Sequence, residues 1–261
     1  MKIEIVTIGD ELLLGFTIDT NAAYLARALA AEGVEVVQRA TVGDDAATIA
    51  AAVHAALHRT GAVITTGGLG PTADDLTKPS IAALFGRGMH LDEPHADWMR
   101  ERWRRRFGRE MPDANLQQAT VPDGSRVLRN NHGSAPGVLL EDDGGRWVAM
   151  LPGVPREMRG MCDDTIVPLL RDRMRAAGVP PQVVVSRTLR TTGIPESALA
   201  GRVAVIAGQF GDVATAYLPG IDGVDLRLTV RGRLAADAQR ALAESEAALR
   251  TELGADIYGV D

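Results

Sequence analysis

The sequence predicts an α/β fold, in which a three-layer α/β/α domain with a mostly parallel sheet is followed by a small α+β domain. In the first third of the chain, apolar β-branched runs alternate with helical segments, which is typical of strands joined by crossover helices. Near residue 180 the order changes to strand, helix, strand, strand, helix. A length of 261 residues accommodates two such units. We therefore expect domains at 1–175 and 176–261.

The elements of the first domain follow from their residue types and their caps. Three apolar runs predict buried parallel strands. Asp19 or Thr20 can cap the first helix, and Asp44 can cap the second. Gly33 and Gly61 occupy the positions where glycine commonly ends a helix. The expected strands are 3–8, 34–42 and 62–66, and the expected helices are about 19–31, 45–59 and 75–85.

The remaining elements are shorter or less regular. A Gly-rich hairpin turn at 141–147 joins two strands, and the helix entered at 151–158 is expected to be interrupted or to end near Pro168. The other predicted helices are about 92–108, 195–206 and 234–253, and the other predicted strands are 126–129, 138–140, 147–151, 183–191, 213–218, 224–231 and 255–258.

The charge and the cysteine content exclude several classes of protein. With 28 basic and 34 acidic residues the formal charge is −6, which argues against a nucleic-acid partner. No apolar run approaches the roughly 18–20 residues of a membrane span, so no membrane partner is expected. Cys162 is the single cysteine, which excludes an internal disulfide and a thiolate metal site. We expect a protein of the reducing cytoplasm.

Acidic residues follow each of the first three strands in pairs. The carboxyl ends of parallel strands share one edge of the sheet, where ligands bind, so these carboxylates can converge. Helix capping is the alternative explanation, above all for Asp45, yet one cap per helix would be enough. The three pairs are Asp10 and Glu11, Asp44 and Asp45, and Asp74 and Asp75.

A glycine-rich segment, GGLGPT at 67–72, follows the third strand. Glycines let the backbone approach a ligand, and the helix that follows offers N–H groups suited to phosphate, although a plain turn can have the same composition. Phosphate is attracted by this segment and repelled by the neighbouring carboxylates. A divalent cation resolves the conflict, because Mg²⁺ is held by one or two carboxylates plus substrate phosphates. The pattern predicts metal-assisted attack on a phosphoanhydride, or binding of one.

Several segments carry a family resemblance that covers essentially the whole chain, and the pairing of GGLGPT-x-DDLT with LPGVP-x-EM is highly specific. On these residues the chain resembles the competence/damage-inducible protein A (CinA) family, and its first part is similar to the wider molybdopterin-binding fold. The matching segments are IGDELLLG (8–15), DTNAAYLARALAAEG (19–33), VGDD (42–45), TTGGLGPTADDLT (65–77), NNHGSAPG (130–137), LPGVPREM (151–158) and GIPES (193–197), followed by DLRLTVRG and DIYG.

The resemblance implies a molybdopterin-binding-like α/β/α domain and a small KH-like domain. It also implies a metal-dependent ADP-ribose pyrophosphatase that yields AMP and ribose 5-phosphate. Mg²⁺, Mn²⁺ or Co²⁺ is the expected cofactor, with a monovalent cation such as K⁺ as a further one, and a homodimer is the expected assembly. Many family members continue into an amidase domain. Because this chain stops just after DIYG, we expect no amidase activity from it.

The resemblance also assigns residues to the site. Asp75 is the first choice for a catalytic and metal-binding acid, Asp44 is the second and Asp10 the third, with Asp74 as a further metal ligand. Ser134 stands where the family usually has threonine, and either residue keeps a hydroxyl. For Glu157, the ordinary preference of carboxylates for the first turn of a helix explains the residue equally well. The residues expected to bind the nucleotide are Gly9, Glu11, Gly67, Gly68, Leu69, Gly70, Pro71, Thr72, Ser134, Gly137, Pro152, Gly153 and Glu157.

Two other functions are compatible with the same residues. The related molybdopterin adenylyltransferases transfer AMP to molybdopterin, and a binding module for a pterin or a nucleotide would do no chemistry. Residues 100–109 also carry six arginines that match no family motif. A solvated helix face is their default explanation. Repulsion between arginines four residues apart nevertheless suggests partners for some of them, either phosphate or the acids of another subunit.

Overall fold

The computed structural model describes residues 1–180 and 182–261, and these form two compact units. The division falls slightly before the predicted boundary after residue 175. The first unit consists of Met1–Leu29 and Glu35–Asp172, and the second consists of Ala30–Val34 and Arg173–Asp261.

The chain begins with the alternation of strands and helices that its apolar periodicity predicts. The elements up to residue 180 are numbered in chain order. The strands are β1 (Lys2–Ile8), β2 (Glu35–Val42), β3 (Ala62–Thr66), β4 (Met89–Leu91), β5 (Thr120–Pro122), β6 (Arg126–Leu128), β7 (Gly137–Glu141) and β8 (Trp147–Leu151). The helices are α1 (Asp10–Leu13), α2 (Thr20–Ala31), α3 (Ala46–Thr60), α4 (Thr77–Leu84), α5 (Glu93–Phe107), α6 (Leu116–Ala119), α7 (Pro155–Met161) and α8 (Val167–Ala176).

A six-stranded sheet forms the centre of the first unit, in the order β2-β1-β3-β8-β7-β6. β1 pairs in parallel with β2 and β3, and β3 pairs in parallel with β8. β7 and β6 complete the sheet as antiparallel strands. The predicted α/β class with a mostly parallel sheet is therefore confirmed. Because the parallel strands run the same way, β1, β2, β3 and β8 all end at one edge, which we call the carboxyl edge.

The core of the first unit is mostly aliphatic, and Glu4 is one of the charged residues buried in it. β1 is buried along almost its whole length, and Val63 and Val148 of the adjoining strands are fully buried. Glu4 in β1 is only 2% exposed, and Arg59 of α3 donates two N–H groups to its two carboxylate oxygens, each at 2.7 Å. This forked pair neutralises a charge that would otherwise be costly inside a strand.

Several local features refine the predicted element boundaries. α1 forms directly after β1, and β4 pairs with β5 in a separate antiparallel ladder. α4 begins at Thr77 instead of about Asp75, because Asp75 accepts hydrogen bonds from the loop before it. The helix near Pro168 is interrupted as predicted. A π-helical turn at Cys162–Ile166 separates α7 from α8, and Pro168 has no N–H with which to continue a regular ladder.

The second unit confirms the predicted small α+β arrangement. Its four strands form an antiparallel sheet in the order β10-β11-β9-β12. Leu226, Leu228 and Val230 alternate inward along β11 and pack in a core with Leu242 and Leu249 of α10. Among the described residues of the chain, no helix combines the length and the apolar character needed to cross a membrane. The elements are β9 (Gln182–Thr191), α9 (Glu196–Gln209), β10 (Val213–Pro219), β11 (Val224–Leu234), α10 (Ala235–Leu253) and β12 (Ile257–Val260).

Candidate active site

The acids that follow β1 and β2 meet at the carboxyl edge. The backbone N–H of Asp10 donates to Asp44 Oδ2 at 3.0 Å, and the backbone N–H of Asp44 donates to Asp10 Oδ1 at 3.2 Å. This reciprocal pair joins residues 34 positions apart in the chain. Gly43 makes room for it, because a Cβ at that position would lie 2.3 Å from Asp10 Oδ1. The expected convergence of strand-end acids is thus observed for Asp10 and Asp44.

The electrostatics of Asp44 show which other acids act at this edge. Burial raises the pKa of the Asp44 carboxyl above its usual range, and the hydrogen bond from the Asp10 N–H opposes that rise. The negative charges of Asp10, Glu11 and Asp74 raise the pKa further. Asp74 belongs to the loop after β3, so acids that follow β1 and β3 act on the carboxyl that follows β2. We call Asp10, Glu11, Asp44 and Asp74 the acidic group.

The second acid after β2 has a structural task. Asp45 is the N-cap of α3, and its Oδ1 accepts the N–H of Thr48 at 2.9 Å. The cap expected at Asp44 is therefore wrong, whereas the capping explanation given for Asp45 is confirmed. α3 begins at Ala46, and the capping residue directly precedes the first helical residue. The Asp44 carboxylate is therefore left for the acidic group.

Asp75 organises the glycine-rich loop after β3. Its Oδ1 accepts the N–H of Gly70 at 2.7 Å, and its Oδ2 accepts the N–H and the hydroxyl of Thr72 at 2.9 and 2.5 Å. Gly70 permits this approach, since a Cβ there would lie 2.5 Å from Asp75 Oδ2. Both carboxylate oxygens are engaged within the loop, and Asp74 is the residue of this pair whose charge acts on Asp44. The role of Asp75 as a metal ligand stays a prediction.

Gly67 and Gly68 turn the chain away from β3 with φ angles of 112° and 64°, which favour glycine. A Cβ on Gly67 would lie 2.1 Å from the carbonyl oxygen of Ile8, and a Cβ on Gly68 would lie 2.2 Å from Thr77 Oγ1. The Gly67 N–H donates to the carbonyl of Leu151 at 3.1 Å. The loop is thus held against the ends of β1 and β8, at the same edge as the acidic group.

A cavity of about 250 Å³, which we call the strand-end cavity, lies at this edge and is lined by Glu11, Asn21 and Thr66 among others. Asn21 Nδ2 donates to the carbonyl of Gly153 at 2.7 Å and to Thr66 Oγ1 at 3.2 Å. The Thr66 hydroxyl donates to the carbonyl of Pro152 at 2.8 Å. Asn21 is not among the site residues predicted from the sequence, although it lies inside the DTNAAYL segment that carries part of the family resemblance.

The remaining predicted nucleotide ligands have different surroundings. Gly153 lines the strand-end cavity, whereas Ser134 and Glu157 line a second cavity of about 400 Å³. Leu69 is only 2% exposed and packs in the aliphatic core. Gly137 is buried in β7, where a Cβ would lie 2.6 Å from a methionine side chain. Packing therefore explains Leu69 and Gly137, and neither residue offers a side chain to a nucleotide.

The acidic group has the donor chemistry of a site for a hard divalent cation, because carboxylate oxygens are the ligands that Mg²⁺ and Mn²⁺ prefer. In the part of the chain that the structure describes, no three His, Cys, Asp or Glu side chains are grouped as a metal site. Mg²⁺ is usually held by one or two carboxylates together with substrate phosphates. Asp10 and Asp44 therefore fit an ion that arrives with a phosphate ligand, and do not form a complete protein cage.

Two family models match the chain. A probable molybdopterin binding domain matches residues 4–172, and the KH domain of the damage-inducible protein CinA matches residues 186–259. The first range contains the mostly parallel sheet and the second contains most of the antiparallel sheet. The class of protein is thus a molybdopterin-binding-like α/β domain followed by a KH-like domain.

Individual relatives identify the family. A CinA-like protein of Gemmatimonas aurantiaca is 62% identical over 259 residues, and one of Frankia casuarinae is 43% identical over 270 residues. Each match covers 99% of this chain and 60% of the relative. The crystal structure of the protein CinA from Thermoplasma acidophilum, described as of unknown function, is similar with a TM-score of 0.57 at 30% identity, over 67% of this chain and 96% of that one. The chain belongs to the CinA family, and it spans about 60% of the length of these curated relatives.

Proposed function

We propose that the first unit hydrolyses the diphosphate bond of ADP-ribose or a similar nucleotide with the help of a divalent metal ion. The observation that carries the proposal is the acidic group beside the glycine-rich loop. Asp10 and Asp44 are joined by reciprocal hydrogen bonds of 3.0 and 3.2 Å, and the loop at 67–72 lies at the same edge of the sheet. A ligand that carries both phosphate and a cation accounts for this combination.

Each part of the site supports one aspect of the reaction. Asp10 and Asp44 would hold the cation, which, when bound, neutralises phosphate charge and makes the phosphorus easier to attack. Asp75 keeps the loop backbone in place by accepting hydrogen bonds from Gly70 and Thr72, and the loop in turn would position the diphosphate. Asp74 is exposed and adds negative charge next to Asp44.

The strand-end cavity supports a nucleotide as the ligand. Asn21 lines it, and its Oδ1 is buried without a hydrogen-bond donor among residues 1–180 and 182–261. Buried polar atoms are normally satisfied by a partner. A ribose hydroxyl or the amino group of a base would supply the missing hydrogen bond.

The test is the release of AMP from ADP-ribose by the purified chain. Water adds across the diphosphate bond, so the products are AMP and ribose 5-phosphate. The reaction is run separately with Mg²⁺, Mn²⁺ or Co²⁺ and with EDTA. We expect AMP with at least one of these ions and none with EDTA. The absence of AMP with every ion would overturn the proposal.

A matched pair of variants links the activity to the acidic group. Asp44→Asn should lower the rate at least about a hundredfold, because losing even a group that only supports a metal ligand costs roughly 10–100-fold. Asp45→Asn removes the same charge one residue further along and keeps a side chain that caps helices equally well. It should retain the rate to within about twofold, since Asp45 only caps α3.

Other outcomes would indicate the alternative functions. Pyrophosphate formed from ATP and molybdopterin would indicate transfer of AMP, as in the molybdopterin adenylyltransferases. Tight binding of ADP-ribose in calorimetry without AMP release would indicate a binding module. The homodimer expected from the family is tested separately by light scattering.

A further inference from the structure

The arginines of α5 fall into two sets. The first set, Arg100, Arg104 and Arg105, forms ion pairs with acids of the same helix or of the residues that follow it. Arg100 meets Asp97 at 2.7 Å, and Arg105 meets Glu101 at 2.8 Å. A solvated helix face forms such pairs with residues three or four positions away. The default explanation therefore accounts for this set.

Arg102 and Arg106 form the second set and lie one helical turn apart. Among the residues that the structure describes, neither forms an ion pair. Arg102 lies over the ring of Trp98 at 5.2 Å, and Arg106 lies over the ring of Phe107 at 5.4 Å. An aromatic face attracts and orients a guanidinium without cancelling its charge. Two uncompensated positive charges are therefore held on one stretch of the helix.

Both of these arginines line the cavity of about 400 Å³, and Arg156 of α7 adds a third guanidinium to it. We call it the arginine cavity. Arg156 likewise has no ion pair within residues 1–180 and 182–261. Three positive charges at one cavity repel one another unless an anion lies among them.

The acids near the arginine cavity are already engaged by other groups. Glu157, the acid that lines it, accepts a hydrogen bond from Asn130 Nδ2 at 2.6 Å. Asp164 lies 2.8 Å from Nε2 of His132, another lining residue. Three arginines against one carboxylate leave a local excess of positive charge in a chain whose formal charge is −6. A cavity with that charge attracts a dianion more strongly than a neutral ligand.

We propose that Arg102, Arg106 and Arg156 bind a phosphate monoester, the terminal phosphate group of a small molecule. A guanidinium presents paired N–H donors that match two phosphate oxygens. A monoester offers three free oxygens and close to two negative charges, so it suits three guanidiniums better than a carboxylate or a bridging phosphate does. The site is distinct from the acidic group, and binding there requires neither a metal ion nor hydrolysis.

Calorimetric titration of the whole chain in EDTA tests the proposal. The probes are AMP, ribose 5-phosphate and inorganic phosphate, which share the phosphate group and differ in what it is attached to. ADP-ribose, which has only bridging phosphates, is the comparison ligand. We expect AMP and ribose 5-phosphate to bind more tightly than ADP-ribose. Binding of AMP alone would show recognition of the base, and binding of none of the probes would exclude the site; either result overturns the proposal.

Two variants of α5 distinguish binding in the arginine cavity from a general electrostatic effect of removing one positive charge. Arg102→Gln should weaken the binding of ribose 5-phosphate about tenfold, the usual effect of losing one charged hydrogen-bonding partner. Arg104→Gln removes the same charge from an ion-paired position outside the cavity, and binding should change by less than about twofold. Equal losses in the two variants would contradict the proposal. Circular dichroism and thermal unfolding of both variants check that each is folded.

Discussion

The two units of the molecule differ in how they satisfy charge. In the second unit, arginines pair with acids from other elements of the same unit. Arg187 of β9 meets Glu246 of α10 at 2.5 Å, and Arg190 of β9 meets Asp225 of β11 at 2.7 Å. In each pair both residues belong to strands or helices of the second unit, so these ion pairs join its elements to one another.

In the described part of the first unit, Asp10 and Asp44 of the acidic group and two arginines of the arginine cavity lack such partners. Among the described residues, Asp10 and Asp44 form no ion pair with a basic side chain, and Arg102 and Arg106 form none with an acid. A charge satisfied inside the protein contributes to the fold, whereas an uncompensated charge is costly to desolvate until a ligand supplies the opposite sign. The comparison supports the two ligand sites of opposite charge that we propose in the first unit.

The largest expected effect concerns the acid pair. Asp10→Asn and Asp44→Asn should each lower ADP-ribose hydrolysis at least about a hundredfold, and the double variant should lose little more than either single one. Each carboxylate accepts the backbone N–H of the other residue, so the two act as a unit. Steady-state kinetics of the four proteins complete a double-mutant cycle. If the losses of rate were additive, the two acids would act independently, and the contrast between the two units would be weaker.

Lys78 tests the comparison between the two units, because it is a buried cation of the first unit whose hydrogen bonds lie within the fold. It is 2% exposed in α4, and its ammonium donates to the carbonyls of Gln117 and Gln118 at 2.7 and 2.9 Å. Burial lowers its pKa from 10.5 to about 8. A neutral amine still has two N–H groups for these two carbonyls, so both hydrogen bonds can survive deprotonation.

The pH dependence of stability tests this assignment. Between pH 8 and 10.5 the unfolded chain binds more protons at Lys78 than the folded protein does, so the free energy of unfolding rises with pH. The rise should total roughly 3 kcal/mol at most. Urea unfolding of the wild type and of Lys78→Met across this range measures it, and only the wild type should show the rise. Parallel curves for the two proteins would contradict the lowered pKa.

The loop after β3 contains two adjacent acids with different roles. Asp75 accepts hydrogen bonds within the loop, whereas Asp74 belongs to the acidic group. Asp75→Asn exchanges a carboxylate for an amide with one acceptor oxygen, so hydrogen bonds from Gly70 or Thr72 are lost. We expect roughly tenfold slower turnover and faster amide hydrogen exchange across 67–77. Asp74→Asn, the matched control, should weaken metal binding and speed the exchange less than Asp75→Asn does, although Thr72 also hydrogen-bonds to Asp74. Equally fast exchange in the two variants would show that the two acids share one structural role.

The framework of both units could be predicted because it depends on local patterns. β1 and β3 are apolar β-branched runs, and Gly61 ends α3 with a φ of 71°, the left-handed conformation expected of a glycine in that place. The ladder between β4 and β5 could not be predicted. Its strands are three residues long and are separated in the chain by α5 and α6, so no local pattern marks the pairing.

The site could be predicted only as far as the strand-end pairs of acids. Which member of a pair serves the fold depends on the first residue of the following element. α3 begins at Ala46, so Asp45 caps it and Asp44 joins the acidic group. In the same way, Arg102 and Arg104 are indistinguishable in the sequence. The tertiary packing of α5 decides that one lines the arginine cavity while the other pairs with Glu101.

The smallest expected effect concerns a charge that the first unit does satisfy internally. The Tyr24 hydroxyl donates to the Asp163 carboxylate, with oxygen–oxygen distances of 2.8 and 2.7 Å, and so joins α2 to the π-helical turn. The hydrogen bond to Asp163 raises the pKa of Tyr24 from 10.0 to about 12. Because the folded protein holds this proton more tightly than the unfolded chain, the contribution to stability is complete below pH 10 and is lost as the pH rises to 12.

Titration of tyrosinate absorbance tests the Tyr24–Asp163 pair. Tyr24→Phe should remove the transition near pH 12, and Asp163→Asn should move it down toward the ordinary value of 10.0. The other two tyrosines are present in both variants and serve as internal references. The sign of this stability change is opposite to that expected for Lys78, so the two contributions can be separated by pH. An unchanged transition in Asp163→Asn would mean that the carboxylate does not hold the proton, and that this charge, like those of the acidic group, lacks an internal partner.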